Sequence, residues 1–597
     1  MPIFPMSPNR PFLVAAFLGA SSLVHAEDAT PDNTPVAATA QTPLSESLNP
    51  VADTPLVSEL PTKQAAAPSS NVTVNLIGRL VQKGILTQAE AVVLVQQAEA
   101  DAATAAQNTV LPPNADDTRV SYIPEVVRNN MRDQIKQELM AAAHEEKWSE
   151  KSSPDWTSKF RPFGDIRGRY ESMVFPHGND NTGAFPNFNA INTGAPFDVS
   201  GTQFSPQYNV DQDRQRTRLR ARLGTDIMLG DSFNGGIRLA TGDSNSPTSP
   251  NQTLGGSGGN FSKYAIWLDR AFLSYDAGPG DGQELVFLMG RFDNPFFSTD
   301  IQWDDDLGFD GLAVRGKVKL ADKVSSFFTA GYFPVFNTDL NFASNQPAKF
   351  ASTDKWLTGA QFGIEWKITS DLTAKFGIAY YDFNNIEGKL SNPFIPLTAS
   401  DAGNTDSTRP GFAQRGNTYM ALRNIDNTTA ANDYGTKYQY QYYGLASQFR
   451  NLTFTGKLDY DHFDPVRVSL LGEATKNVAF DPSVINRSAV NNGGVGAFQG
   501  GDTAWNVVLQ VGKPAFESFG DWQASFGYRY VESDAVVDGF TDSDFGGGGT
   551  NVQGFTLGGN MALSPAVRVG LRWMSSDEII GSPLSSDTFQ FDINAKF

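Results

Sequence analysis

From about residue 160 to Phe597 the chain alternates apolar and polar residues with a period of two, the period at which successive side chains of a strand point to opposite faces. Trp356, Thr358, Ala360, Phe362, Ile364 and Trp366 share one face, and Leu357, Gly359, Gln361, Gly363 and Glu365 share the other. Leu452, Phe454, Gly456, Leu458 and Tyr460 alternate likewise with Thr453, Thr455, Lys457, Asp459 and Asp461, and the last segment gathers Phe589, Phe591, Ile593, Ala595 and Phe597 on one side. Turn-separated segments of roughly ten residues with this alternation mark a transmembrane β-barrel, in which about 9–11 tilted residues suffice to cross. A soluble sandwich fits less well. Aromatic residues gather near strand ends, and the opposite faces carry charge in strand after strand that a buried face could hardly partner.

The pattern predicts strands near 160–172, 212–228, 233–241, 263–276, 284–291, 309–320, 323–334, 354–367, 371–383, 450–461, 466–476, 503–512, 520–533, 550–562, 566–576 and 586–597. Short links fall at 230–232, 278–282, 321–323, 369–371, 462–465, 513–520 and 563–566. Each follows an even strand and long links follow odd ones, which puts both ends of the barrel on the periplasmic side. Counting residues 437–446 as a strand would break that parity, so they are assigned to a long outer loop. The expected fold is all-β and transmembrane: an antiparallel barrel of 16 strands over residues 158–597, with 18 as the alternative.

Upstream the period changes. Residues 1–26 carry Arg10, a short apolar run and Val24-His25-Ala26, the layout of a secretory signal. Residues 27–71, rich in Pro, Thr and Ala, read as a disordered linker. Residues 72–150 read as a helical region, expected in the periplasm, with a capping box at Thr87 and Glu90. Within it Ile123, Val127, Met131, Ile135 and Leu139 recur every four residues. Either a coiled coil or a single amphipathic helix would use that stripe, although a spacing of four drifts from the 3.5 repeat of a left-handed coiled coil.

Composition narrows the chemistry. The absence of cysteine excludes disulfides, thiolate metal sites and a cysteine nucleophile. A net charge of −19 argues against nucleic acid as a partner. The four histidines suggest no Ser/His/Asp set, and the glycine runs GGSGG and FGGGGT lack a following Lys-Ser/Thr. No enzyme activity, cofactor or resident metal is expected.

One strand face stands out. DRQRTRLRARLGTDI, residues 213–227, places Arg214, Arg216, Arg218, Arg220 and Arg222 at every second position, with Leu219, Ala221 and Leu223 between them. In hydrocarbon each guanidinium would cost about 2–4 kcal/mol near the midplane, so the arginines should line a water-filled lumen, which a barrel of this size leaves open. Further cations are expected around the lumen: Arg167 and Arg169 on the first strand, Arg238 on the third, Arg315, Lys317 and Lys319 on the sixth, and Arg568 and Arg572 on the fifteenth. The third outer loop, RFDNPFFSTDIQWDDDLGFDG, carries Asp293, Asp300, Asp304, Asp305, Asp306 and Asp310. Folded inward, it would oppose the arginines and set a transverse field at the narrowest point. A solvated outer loop, or a divalent-cation site at Asp304, Asp305 and Asp306, are the alternatives.

FRPFGDIRGRYE, the arginine strand, GIRLATGDSNSPTSPNQTLGG, IWLDRAFLSYD, GRFDNPFFSTDIQWDDDLGFDGLAVRG and YIPEVVRNNMRDQIKQELM, with the terminal Phe597, together resemble the Gram-negative putative porin family of outer-membrane proteins. The resemblance implies insertion in outer-membrane lipid, with Phe597 as part of an assembly signal for the barrel-assembly machinery, and a homotrimer as in general porins. It carries no site residues across. The expected function is a passive channel for small hydrophilic solutes with an anion bias. The alternative is a structural or adhesive barrel that holds peptidoglycan or a periplasmic partner through residues 72–150.

Overall fold

The computed structural model describes residues 80, 87, 89, 91–94 and 96–97 and, from 157 onward, all residues except 195–205, 257, 279, 281–282, 338–349, 352, 397, 399, 426–439 and 495–496. The chain divides into two units, Met1–Pro124 and Glu125–Phe597. In the first, the Ala91 N–H donates to the Thr87 carbonyl at 3.0 Å, closing one helical turn. The signal segment, the linker and the apolar stripe from Ile123 to Leu139 lie outside the described residues.

The second unit is a barrel of sixteen antiparallel strands. They are β1 (Phe160–Val174), β2 (Arg214–Gly230), β3 (Phe233–Ala240), β4 (Trp267–Asp276), β5 (Glu284–Asp293), β6 (Gly308–Ala321), β7 (Val324–Phe336), β8 (Lys355–Lys367), β9 (Leu372–Asn384), β10 (Arg450–Phe463), β11 (Val466–Asn477), β12 (Thr503–Gly512), β13 (Trp522–Val531), β14 (Val552–Ala562), β15 (Val567–Glu578) and β16 (Ser585–Lys596). Each pairs with its sequence neighbour, and β16 returns to β1 with Asp165 opposite Lys596 and Val174 opposite Asp587. Closure removes every edge, the only way a sheet can satisfy its backbone in lipid. Residues 443–445 pair with 419–421 in a small separate sheet inside a loop, so the described part of segment 437–446 is not a barrel strand. No helix among the described residues is long and apolar enough to cross a membrane.

The alternation sorts the two faces. Leu223, Phe362, Ile364, Phe376, Phe454, Phe526 and Phe591 are exposed on the outer wall, while Gln361, Thr453, Glu473, Asn506 and Gln590 are buried within. The chain end seals the seam: the Phe597 N–H donates to the Gly164 carbonyl at 3.0 Å and the Gly164 N–H to the Phe597 carbonyl at 2.9 Å. A Cβ on Gly164 would stand 2.5 Å from the Phe597 ring, so this position requires glycine.

Strand count alone implies an aqueous lumen, but much of the interior is packed. The third outer loop, residues 294–307, enters the barrel and seats Phe296, Trp303 and Leu307 against Phe333, Leu357, Tyr381 and Phe383 of the wall. A Cβ on Gly359 would come within 2.6 Å of the Phe296 ring, so the missing side chain makes the seat. Helix α1 (Phe188–Thr193), in the first outer loop, stacks Phe188 on Tyr419 of the fifth loop with ring centres 4.3 Å apart. A second dry cluster joins Ile301 to Val536 and Phe545 of the seventh loop, residues 532–551. The interior is therefore lined by polar side chains along part of its wall and packed with apolar ones elsewhere. Loops that enter must bury apolar groups to offset their ordering entropy.

Candidate functional site

The even-numbered arginines of β2 face the interior. Arg218 and Arg220 are buried, whereas Leu223 on the opposite face is 58% exposed. Pairing with β1 sets carboxylates among them: Asp165 lies opposite Arg222, Arg167 opposite Arg220, Arg169 opposite Arg218 and Glu171 opposite Arg216. Asp165 accepts from Arg220 Nε at 3.0 Å and from Arg222 Nε at 2.7 Å. Glu171 accepts from Arg216 at 2.5 Å and stands 3.6 Å from Arg218. Arg169, only 4% exposed, grips Asp592 of β16 with two N–H groups at 2.7 and 2.9 Å and reaches Asp544 of the seventh loop at 2.8 Å. Arg572 of β15 also binds Asp544. Such forked, charge-assisted bonds hold guanidiniums in one geometry.

The third loop divides its charges. Asp306 approaches the ladder, 3.5 Å from Arg220 and 3.3 Å from Arg222. Asp300 pairs with Arg529 of β13 at 2.7 Å, and Asp542 joins the same guanidinium at 2.8 Å. Asp293 links Arg238 at 3.0 Å and Arg270 at 2.7 Å, and Asp310 binds Arg291 at 2.7 Å. Asp304 touches no arginine: it is buried and accepts from the backbone N–H of Asp306 at 2.8 Å and of Ser543 at 3.1 Å. Burial, reinforced by the Asp542 carboxylate, pushes its pKa up to about 9. Asp305 is exposed. The three consecutive carboxylates diverge, and no group of three or more His, Cys, Asp or Glu among the described residues could hold a metal ion.

The seventh loop adds its own buried acids. Asp538 accepts from the Tyr419 hydroxyl at 2.8 Å, and burial raises it to about 7. Asp534 accepts from the Thr418 hydroxyl at 2.6 Å, and burial raises it to about 6. Burial also raises Asp544, but Arg169 and Arg572 outweigh it and hold that carboxyl far below its ordinary value.

The remaining expected residues disperse. Arg167 bonds the Asn251 side chain, and its Nε has no acceptor. Arg214, at the outer end of β2, is exposed and makes no ion pair among the described residues. Arg315, also exposed and without an ion pair among the described residues, and Lys317, bound to Glu365 at 2.8 Å, stand on β6, four strands from β2. Arg568 has no acceptor at Nε. Sequence reading missed Asp165, Glu171 and Asp592 on the strands, Asp542 and Asp544 in the seventh loop, and Arg270 and Arg529. For Asp165 and Glu171 the signal was present, since they share the parity of Arg167 and Arg169. For Asp544 there was none, because its partners lie on β1 and β15.

A polar cavity of about 370 Å³ opens beside this cluster, between β3, the second outer loop and Asp306, bordered by Asp269 and Arg291.

Solved structures that the chain matches include the outer membrane channel DcaP of Acinetobacter baumannii, at 12% identity over 73% of this chain and 97% of that one, with a TM-score of 0.34. OprB of Pseudomonas putida matches at 12% identity over 74% and 95%, with a TM-score of 0.39. An anion-selective porin from Comamonas acidovorans matches at 11% over 73% and 99%, with a TM-score of 0.33. A search of curated proteins returns no match. The family model described as putative porin matches residues 70–597; with that match and a closed sixteen-stranded barrel, the chain belongs to the putative porin family of outer-membrane barrels.

Proposed function

We propose that this porin is a passive channel for small hydrophilic solutes with a preference for anions, conducted along the arginine wall of β1 and β2. The observation that carries the reading is the placement of Arg214 to Arg222 on the inner face, with Asp306 across from Arg220 and Arg222. A polar wall replaces the hydrocarbon barrier, and no bond is made or broken. Cations fixed along one side attract an anion stripped of part of its hydration, while the loops packed in the lumen narrow the path and set the size limit. The expected assembly is a homotrimer inserted with the aid of the barrel-assembly machinery, which would read Phe597, with residues 72–150 in the periplasm after removal of residues 1–26.

Planar-bilayer recording tests the reading. The native protein should show stepwise conductance and a reversal potential, in a potassium chloride gradient, of the sign that chloride preference gives. Replacing Arg216, Arg218 and Arg220 with Gln should shift that potential toward zero. Unchanged selectivity would mean that these side chains do not govern permeation.

A further inference from the structure

Above the Asp306 contact, toward the outer end of β2, lies a second cavity of about 220 Å³. Its charged lining is Arg216, Arg218 and Arg415, with no carboxylate among the lining residues. Glu171 lies behind Arg216 and Arg218, and Glu578 binds Arg415 from outside the cavity. Two lining groups are buried with unused hydrogen-bonding capacity. Among the described residues the hydroxyl of Thr248, 1% exposed, has no partner, and Arg218, 9% exposed, has no acceptor at Nε. A buried hydroxyl or guanidinium N–H without a partner is costly, and two of them in one cationic pocket define an acceptor-seeking site. Tyr208, Phe412 and Ala413 also line the cavity and supply apolar surface.

We infer that this cavity is a binding site for small organic carboxylates with an apolar body, such as benzoate, on the route into the channel. The carboxylate would accept from Arg218 Nε and the Thr248 hydroxyl, with Arg216 and Arg415 supplying further positive charge. The apolar body would lie on the Tyr208 and Phe412 rings. Inorganic phosphate satisfies the first half of the site but gains nothing from the second, which sets the order of preference. The inference rests on the channel reading for its physiological role, but the site itself is a matter of binding.

The test adds sodium benzoate to both sides of a single channel in potassium chloride and scores each variant against its own chloride current. Native channels should show a saturable fall in current. The half-blocking concentration should rise about tenfold in Thr248→Val, the loss of one buried hydrogen bond, and more in Arg218→Gln. Inorganic phosphate should block at least roughly tenfold more weakly, because it buries no apolar surface. A chloride-selective channel that benzoate does not block would overturn the site and leave the channel reading standing. Unaltered half-block in both variants would also overturn it, and phosphate matching benzoate would overturn the organic class. If the protein does not conduct, the channel reading fails, and calorimetric titration of benzoate into the detergent-solubilised protein decides the site separately: heat lost in Thr248→Val supports it, and no heat with the native protein refutes it.

Discussion

Asp165 accepts hydrogen bonds from both Arg220 and Arg222, and Glu171 stands in the same relation to Arg216 and Arg218. Five guanidiniums on one strand face would repel one another strongly in a partly dry interior, and each carboxylate shared by two arginines cancels much of that repulsion. Arg220 and Arg222 have a second shared partner in Asp306, so this part of the wall is close to neutral, while Arg214 has no ion pair among the described residues. Replacing Asp165 with Asn removes one negative charge without changing shape. In bilayers at low salt the chloride-over-potassium permeability ratio should rise by up to about thirtyfold, since one unit charge at ~4 Å in water is worth about 1 kcal/mol and acts with opposite sign on the two ions. A ratio that stays put would show that ions do not pass within reach of Asp165.

At the scale of the element, the third and seventh loops behave as inserts fastened by two different means. Trp303, Phe296 and Ile301 fasten the third loop through apolar burial, whereas Asp534, Asp538 and Asp304 fasten the loops through hydrogen bonds made by desolvated carboxyls. The second means is sensitive to pH. Asp304 and Asp538 have raised values of about 9 and about 7 against an ordinary 3.8. Between about pH 4 and those values the folded loops hold protons that the unfolded chain has released, so stability falls as pH rises through this window and is fully present below it. Thermal unfolding in detergent should therefore occur at lower temperature at pH 9 than at pH 5, and Asp304→Asn with Asp538→Asn should shrink the difference. A difference of the same size in the double variant would assign the pH dependence to other groups.

The molecule as a whole is a closed wall whose two faces differ, and register alone decides which residue meets which side. Leu223 is exposed on the outer face beside inward-facing Arg222. Leu223→Arg should cost about 2–4 kcal/mol if this residue lies near the membrane midplane, read as a lower folded fraction in urea titration in lipid vesicles. A variant that folds as well as the native protein would place Leu223 outside the hydrocarbon.

The strands were legible because alternation is written into neighbouring residues: the backbone sends successive side chains to opposite sides, so the arginine run, the aromatic faces and the parity of short and long links all reported on the wall directly. Asp165 and Glu171 could have been read as ladder partners from the same parity. What lies inside the wall was decided by the tertiary structure. Asp544 meets Arg169 across 375 positions of chain, Asp592 meets it because the last strand closes on the first, and Asp304 turns from the arginines toward the seventh loop. The aromatic ring set of the third loop was visible as residues, but its seat at Gly359 exists only when β8 and the loop come together. Local geometry fixes a face; which charges and rings share the enclosed space depends on loops that enter it from distant positions, and no short window of sequence contains both partners.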